Sequence, residues 1–144
     1  MKLSKKGEYA LRALIALARE DKAAMTITQI ATMQDLPKKF LEQILLALKS
    51  AGLVRSKAGP KGGYELAEPA RTITLGRILL AVEEPISHRR SSHTVDASLA
   101  PTGVVALLDD IRTYVWNKLE TLSLQEIADQ TVSQQDMEAL MWYI

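Results

Sequence analysis

A mostly α-helical fold, with three helices, a two-stranded hairpin and a long C-terminal helix, is predicted by three features of this 144-residue sequence. The stretch Pro37 to Leu66, PKKFLEQILLALKSAGLVRSKAGPKGGYEL, runs an amphipathic helix with a basic front directly into a glycine-rich hairpin. Upstream, Thr26 with Gln29 forms a capping box, the local signature of a helix start. Downstream, Val104, Leu108, Ile111, Val115, Leu119 and Leu122 recur at steps of three and four, which makes one long helix with a continuous apolar seam. Helix, turn, helix and hairpin in that order give a winged helix-turn-helix domain over residues 1–84, then a loop over 85–101, then a C-terminal part over 102–144.

The first helix is expected from about Lys5 to Arg19, capped by Ser4, with Tyr9, Ala10, Ala13, Leu14 and Leu17 facing inward. Thr26 and Gln29 introduce a short helix through Met33, and Gln34 to Leu36 make the turn. Pro37 suits a first helical position because its missing N–H would be unpaired there anyway, and Gly52 stands where a left-handed cap is wanted. Between them Phe40, Leu41, Ile44, Leu45 and Leu48 form the inward stripe, while Lys38, Lys39, Glu42 and Gln43 leave a polar front end. Leu53 to Lys57 and Tyr64 to Leu66 are the strands of the wing, and Gly59, Pro60, Gly62 and Gly63 supply its turn. Thr74 caps a helix from Leu75 to about Glu83, stopped by Pro85.

Residues 86–101, ISHRRSSHTVDASLAP, carry no sustained period and read as a loop. The long helix begins after Thr102, Ser123 with Glu126 opens a short helix to about Gln130, and Ser133 starts the last turns before the apolar ending MWYI. One helix cannot hide a seam of this length by itself, so the six seam residues are expected at an isologous homodimer interface, the alternative being that the helix folds back on its own domain. The tail either docks on its own domain or meets another protein.

Charge is distributed in a way the whole-chain value of +1 conceals. Residues 1–64 hold 12 Lys and Arg against 5 Asp and Glu, a net +7, which leaves −6 for the remainder. The positive half coincides with the helix front and the wing, the electrostatic footprint of a nucleic-acid face. A recognition helix puts its N-terminal turns into the major groove, where amide and basic side chains read base edges. Lys57 and Lys61 supply attraction to phosphate, and the glycine-rich tip beside them lets the backbone come close to a phosphate or a minor groove.

Other classes find little support. No nucleophile and base, phosphate loop, paired acids or metal set is present, and GPKGG lacks the spacing of a nucleotide-binding glycine motif, so no catalysis is expected. Exposed aromatic platforms for RNA are not expected at 5% aromatic content. Zero cysteines exclude disulfides and thiolate metal sites. His88 and His93, among Arg89 and Arg90, lack further ligands and read as a solvated loop, so no metal and no cofactor are expected. With no apolar run near membrane-spanning length and no signal peptide, a cytoplasmic protein is expected.

The segments LSKKGEYALRALIALA, FLEQILLALKSAGLVRSKAGPKGGYEL and ITLGRILLAVEEPIS, with the late helix, resemble the bacterial Rrf-two family of winged-helix transcription regulators, the IscR, NsrR and CymR type. That resemblance implies a dimeric regulator of a pseudo-palindromic operator. Carried over by position, it implies base reading by Glu42 and Gln43, with Lys38, Lys39 and Phe40 beside them. It places Lys2, Ser4, Lys5 and Tyr9 at the first helix, Thr28 and Gln29 at the second, and Lys57, Gly59, Lys61, Gly62 and Gly63 in the wing against DNA. Phe40 stands where the family often has tyrosine, and Ala58 where an arginine commonly precedes the tip; a nearby lysine does not copy arginine's planar fork. The three cysteines of cluster-binding members have no counterpart here. The cysteine-free CymR-like branch, which the ending SLQEIADQTVSQQDMEALMWYI resembles, implies control of cysteine and sulfur metabolism through a protein co-regulator, a cysteine-synthesis enzyme. The alternative function is a winged-helix module for protein contacts alone.

Overall fold

Six helices and one antiparallel hairpin form from the residues that the structure, a computed structural model, describes: 3–19, 23–83 and 103–131. They are α1 (Lys5–Arg19), α2 (Ile27–Gln34), α3 (Lys38–Ser50), β1 (Val54–Lys57), β2 (Gly63–Leu66), a short 3-10 turn (Ala70–Thr72), α4 (Leu75–Val82), α5 (Val104–Thr121) and α6 (Leu124–Gln130). Lys2, the loop at 85–101 and the MWYI ending lie outside the described residues.

One core holds the winged part together. Ala10, Ala13, Leu14 and Leu17 of α1 meet Ile30 of α2, Leu41, Ile44, Leu45 and Leu48 of α3, and Ile78 and Val82 of α4. No polar side chain is buried among the described residues, so the core rests on apolar burial and close packing. Small alanines on α1 leave room for four other helices, α2, α3, α4 and α6, to approach it.

Phe40 departs from its place in the predicted inward stripe: it is 60% exposed. Successive residues of a helix turn by about 100°, and Leu41, Ile44, Leu45 and Leu48 fill the inward arc, which leaves Phe40 on its margin. Pro37 is the N-cap rather than the first helical residue; its ψ of 120° is extended, and its carbonyl accepts from the Leu41 amide at 3.1 Å. The far end of α3 closes as expected. Gly52 has φ 73°, the Gly52 amide donates to Lys49 O and the Leu53 amide to Leu48 O, both at 3.0 Å, which is a Schellman stop.

The 3-10 turn and the placement of α6 were not anticipated. Leu124 and Ala128 of α6 are buried in the same core as α1, although the sequence pattern groups α6 with the C-terminal part. A two-rung bridge fixes this return: the Leu75 amide donates to Leu122 O and the Leu124 amide to Ile73 O, both at 2.8 Å.

Candidate nucleic-acid interface

The α3 front is exposed because its back is fully committed. Leu41, Ile44, Leu45 and Leu48 are each 1% exposed or less, and this fixes the rotation of the helix about its axis. Lys38, Lys39, Glu42 and Gln43 therefore stand outward with Phe40. Leu46, 65% exposed, lies one turn beyond Gln43 on the same outward face, a position the sequence reading did not include.

The turn before α3 sets its angle. Asp35 adopts a left-handed conformation, φ 50° and ψ 55°, so the Leu36 amide can donate to Ala31 O at 2.9 Å. Asp tolerates this conformation better than most residues. Arg12 of α1 donates to Gln34 O and braces the turn from behind. At the start of α2 the predicted capping box is present: the Gln29 amide donates to Thr26 Oγ1 at 3.2 Å, and the Thr26 amide donates to Gln29 Oε1 at 2.8 Å. Gln29 thus has only its side-chain NH₂ to offer a phosphate, while Thr28 is exposed.

In the wing, Val54 pairs with Leu66 and Lys57 with Gly63, leaving Ala58 to Gly62 as the tip. Gly62 answers to the wing's own backbone and Gly63 to the backbone just ahead of α2. A Cβ on Gly62 would overlap Lys57 O, and one on Gly63, at φ 144°, would overlap Met25 O. Gly59, at φ 104°, faces open space. The Met25 amide donates to Tyr64 O at 2.8 Å and the Tyr64 amide to Met25 O at 2.7 Å, so β2 carries a one-residue second partner just ahead of α2. No local pattern announces that pairing. Lys49 of α3 donates to Ser56 Oγ at 2.7 Å, which ties α3 to the wing as well. Lys57 and Lys61 have no carboxylate partner among the described residues, whereas Arg55 is paired with Glu65 at 2.7 Å.

At the α1 start, Lys5 is exposed and paired with Glu8 at 2.9 Å; that hydrogen bond holds the Lys5 ammonium above its ordinary pKa. Tyr9 is half-buried. Ser4 Oγ accepts from the Gly7 amide at 3.0 Å and donates to Glu83 at 2.8 Å, so its hydroxyl hydrogen is already engaged.

The long seam divides in two. Val104, Leu108 and Ile111 are exposed, joined by Leu107 and Tyr114, which the steps of three and four had passed over. Val115 and Leu122 are half-buried, and Leu119, at 5% exposed, is enclosed in its own chain where α5 packs on α4.

Residues 3–130 match the family model described as "Rrf2: Iron-dependent Transcriptional regulator". The chain is 35% identical to the HTH-type transcriptional regulator IscR of Cereibacter sphaeroides over 134 residues, 88% of this chain and 86% of that one. It is 34% identical to the HTH-type transcriptional regulator CymR of Bacillus subtilis over the full length of both. Among solved structures it resembles CymR (YrzC), the global cysteine regulator of B. subtilis, with TM-score 0.75 and 32% identity over 92% of this chain and 99% of that one. A second is T. potens IscR, TM-score 0.73 and 26% identity, covering 94% and 95%. The donor set does not fit a thiolate-ligated iron centre, because the sequence holds no cysteine. Among the described residues no group of three His, Asp or Glu could hold a metal ion, and His88 and His93 lie outside them. No helix among the described residues is long and apolar enough to cross a membrane.

Proposed function

The chain belongs to the Rrf2 family of DNA-binding transcriptional regulators, and from that premise we propose that it is a homodimeric repressor of a pseudo-palindromic operator that works without an iron-sulfur cluster. The observation that carries this reading is the exposed front of α3, which presents Glu42 and Gln43 beside a lysine-flanked wing bonded to α3 through Lys49; Glu42 and Gln43 are the proposed base readers. Lys38, Lys39, Lys57 and Lys61 supply phosphate attraction, and the exposed half of the α5 seam pairs with a second copy.

The effector is a protein co-regulator, a cysteine-synthesis enzyme, and the target genes serve cysteine and sulfur metabolism. Support comes from the likeness to CymR along the whole chain together with the absence of cysteine ligands. Failure of the purified chain to bind any cysteine-synthesis enzyme removes the co-regulator.

The deciding experiment is a salt titration of the chain against random genomic duplex fragments, sequencing those retained at high salt. Enrichment of one palindrome, with half-sites about one helical turn or a multiple apart, is the expected result. Binding that vanishes uniformly with salt favours either a missing co-regulator or a module for protein contacts, and the same loss with a cysteine-synthesis enzyme added refutes operator reading. Transcription in vitro from the recovered site then gives the sign of regulation.

A further inference from the structure

One helix start in this fold is completed by a carboxylate from far along the chain, and a second has such a carboxylate packed against it. The caps of α2 and α6 are self-contained, with Gln29 and Glu126 three residues after Thr26 and Ser123. In α1 the position three residues after Ser4 is Gly7, which has no side chain to reach back. Glu83, the C-cap residue of α4, fills that place from 79 residues away. Its Oε1 accepts from the Ser4 amide at 3.2 Å and from the Ser4 hydroxyl at 2.8 Å, the backbone bond being the one a local N3 glutamate would make. A Cβ on Gly7 would overlap that same oxygen, so glycine leaves room for the visitor. The pattern repeats one step away: a Cβ on Gly76, in the first turn of α4, would overlap Glu120 Oε1 of α5. Thus the end of α5 covers the start of α4, and the end of α4 covers the start of α1. A carboxylate at a helix N-terminus is favoured by the dipole in both places.

We propose that Glu83 is a positioning residue for DNA binding: it ties the α1 N-terminus to α4 and so holds Lys5 and its neighbours at the height from which they meet the duplex backbone. The proposal rests on the regulator reading above, and it makes a prediction of unexpected sign. A negative charge beside a DNA face opposes binding, so on charge alone its removal would tighten the complex. If Glu83 positions α1, the side chain's hydrogen-bond acceptors matter more than its charge.

The test compares Glu83→Gln with Glu83→Ala in the full chain, by fluorescence anisotropy on the selected operator and on a random duplex across a salt series. Glu83→Gln keeps an acceptor and is expected to bind as well as the parent or better. Glu83→Ala is expected to bind about fivefold to tenfold more weakly on both duplexes, as for the loss of a helix cap, because phosphate contacts position without carrying sequence information. Its salt slope is expected to fall by about one charge. Equal or tighter binding by Glu83→Ala overturns the proposal.

A double variant, Glu83→Ala with Gly7→Glu, rebuilds the cap locally and conserves net charge but leaves α1 untied from α4. Its thermal midpoint is expected to recover while affinity and salt slope stay low; recovery of affinity reduces Glu83 to a cap and overturns the positioning role. Amide exchange at Lys5 to Glu8 supplies an arm that needs no DNA. Faster exchange in Glu83→Ala than in Glu83→Gln is expected, and equal rates sink the tether even if the parent chain binds no specific operator, an outcome that would separately refute the regulator reading.

Discussion

α3 and α5 are both amphipathic helices of more than three turns, yet they meet solvent in opposite ways. On α3 the apolar stripe is enclosed over four leucine and isoleucine positions, and most of what faces outward is charged or amide. On α5 enclosure is complete only at Leu119, and the outward face carries Val104, Leu107, Leu108, Ile111 and Tyr114. Periodicity identifies which residues share a face in each helix. It does not say what covers the face. A polar front beside wing lysines that have no carboxylate partner among the described residues suits a polyanion, whereas a row of exposed apolar side chains on one helix suits another protein surface.

The sharpest way to break the comparison is Ile111→Asp, which places a charge in the exposed part of the seam. In the proposed homodimer, loss of the second copy removes one of two linked half-site contacts, so operator affinity should drop by about a hundredfold to ten-thousandfold. Light scattering should show half the parent mass, and an unchanged mass defeats the interface. Leu119→Ala probes the enclosed end of the same helix; it should cost about 2 to 5 kcal/mol in chemical denaturation of the purified chain as a large-to-small core change. On α3, Gln43→Ala should cost about 1 to 3 kcal/mol of operator affinity and relax preference at one base pair. Equal losses on every sequence would assign Gln43 to phosphate instead. Lys57→Ala should weaken operator and random duplex alike and lower the salt slope by about one charge.

The smallest effect expected is electrostatic and internal. Glu68 accepts from Arg77 at 2.6 Å, and that hydrogen bond holds its carboxyl below the ordinary carboxylate value. The unfolded chain therefore takes up this proton first as pH falls. The contribution is present above the ordinary carboxylate range and is lost as pH drops through the lowered folded value. For a partly solvated pair it amounts to a few tenths of a kcal/mol, roughly. Glu68→Gln should flatten the acid side of a plot of melting temperature against pH; an unaltered acid limb removes the pair from the account.

Much of the fold could be read locally because its helix starts are chemically marked. Ser4, Thr26, Thr74 and Ser123 all cap as expected, and Gly52 closes α3. The wing strands fall within a residue of their expected limits. What could not be read comes from partners far apart in sequence. Met25 pairs with Tyr64 through backbone atoms alone, so no side-chain pattern signals it. Leu124 and Ala128 carry an ordinary helical period that gives no hint of α1 as their neighbour. Phe40 shows the limit of periodicity itself, since a residue at the margin of a stripe satisfies the spacing rule and still faces water.

The pairing of Met25 with Tyr64 makes the molecule a ruler. Because β2 is bonded to the residue just ahead of α2, and Lys49 of α3 to Ser56 of β1, backbone and side-chain hydrogen bonds both constrain the reach from the α3 front to the wing tip. Under the proposed operator reading, target sites can drift in base composition beneath the wing far more freely than they can gain or lose a base pair between the two points of contact.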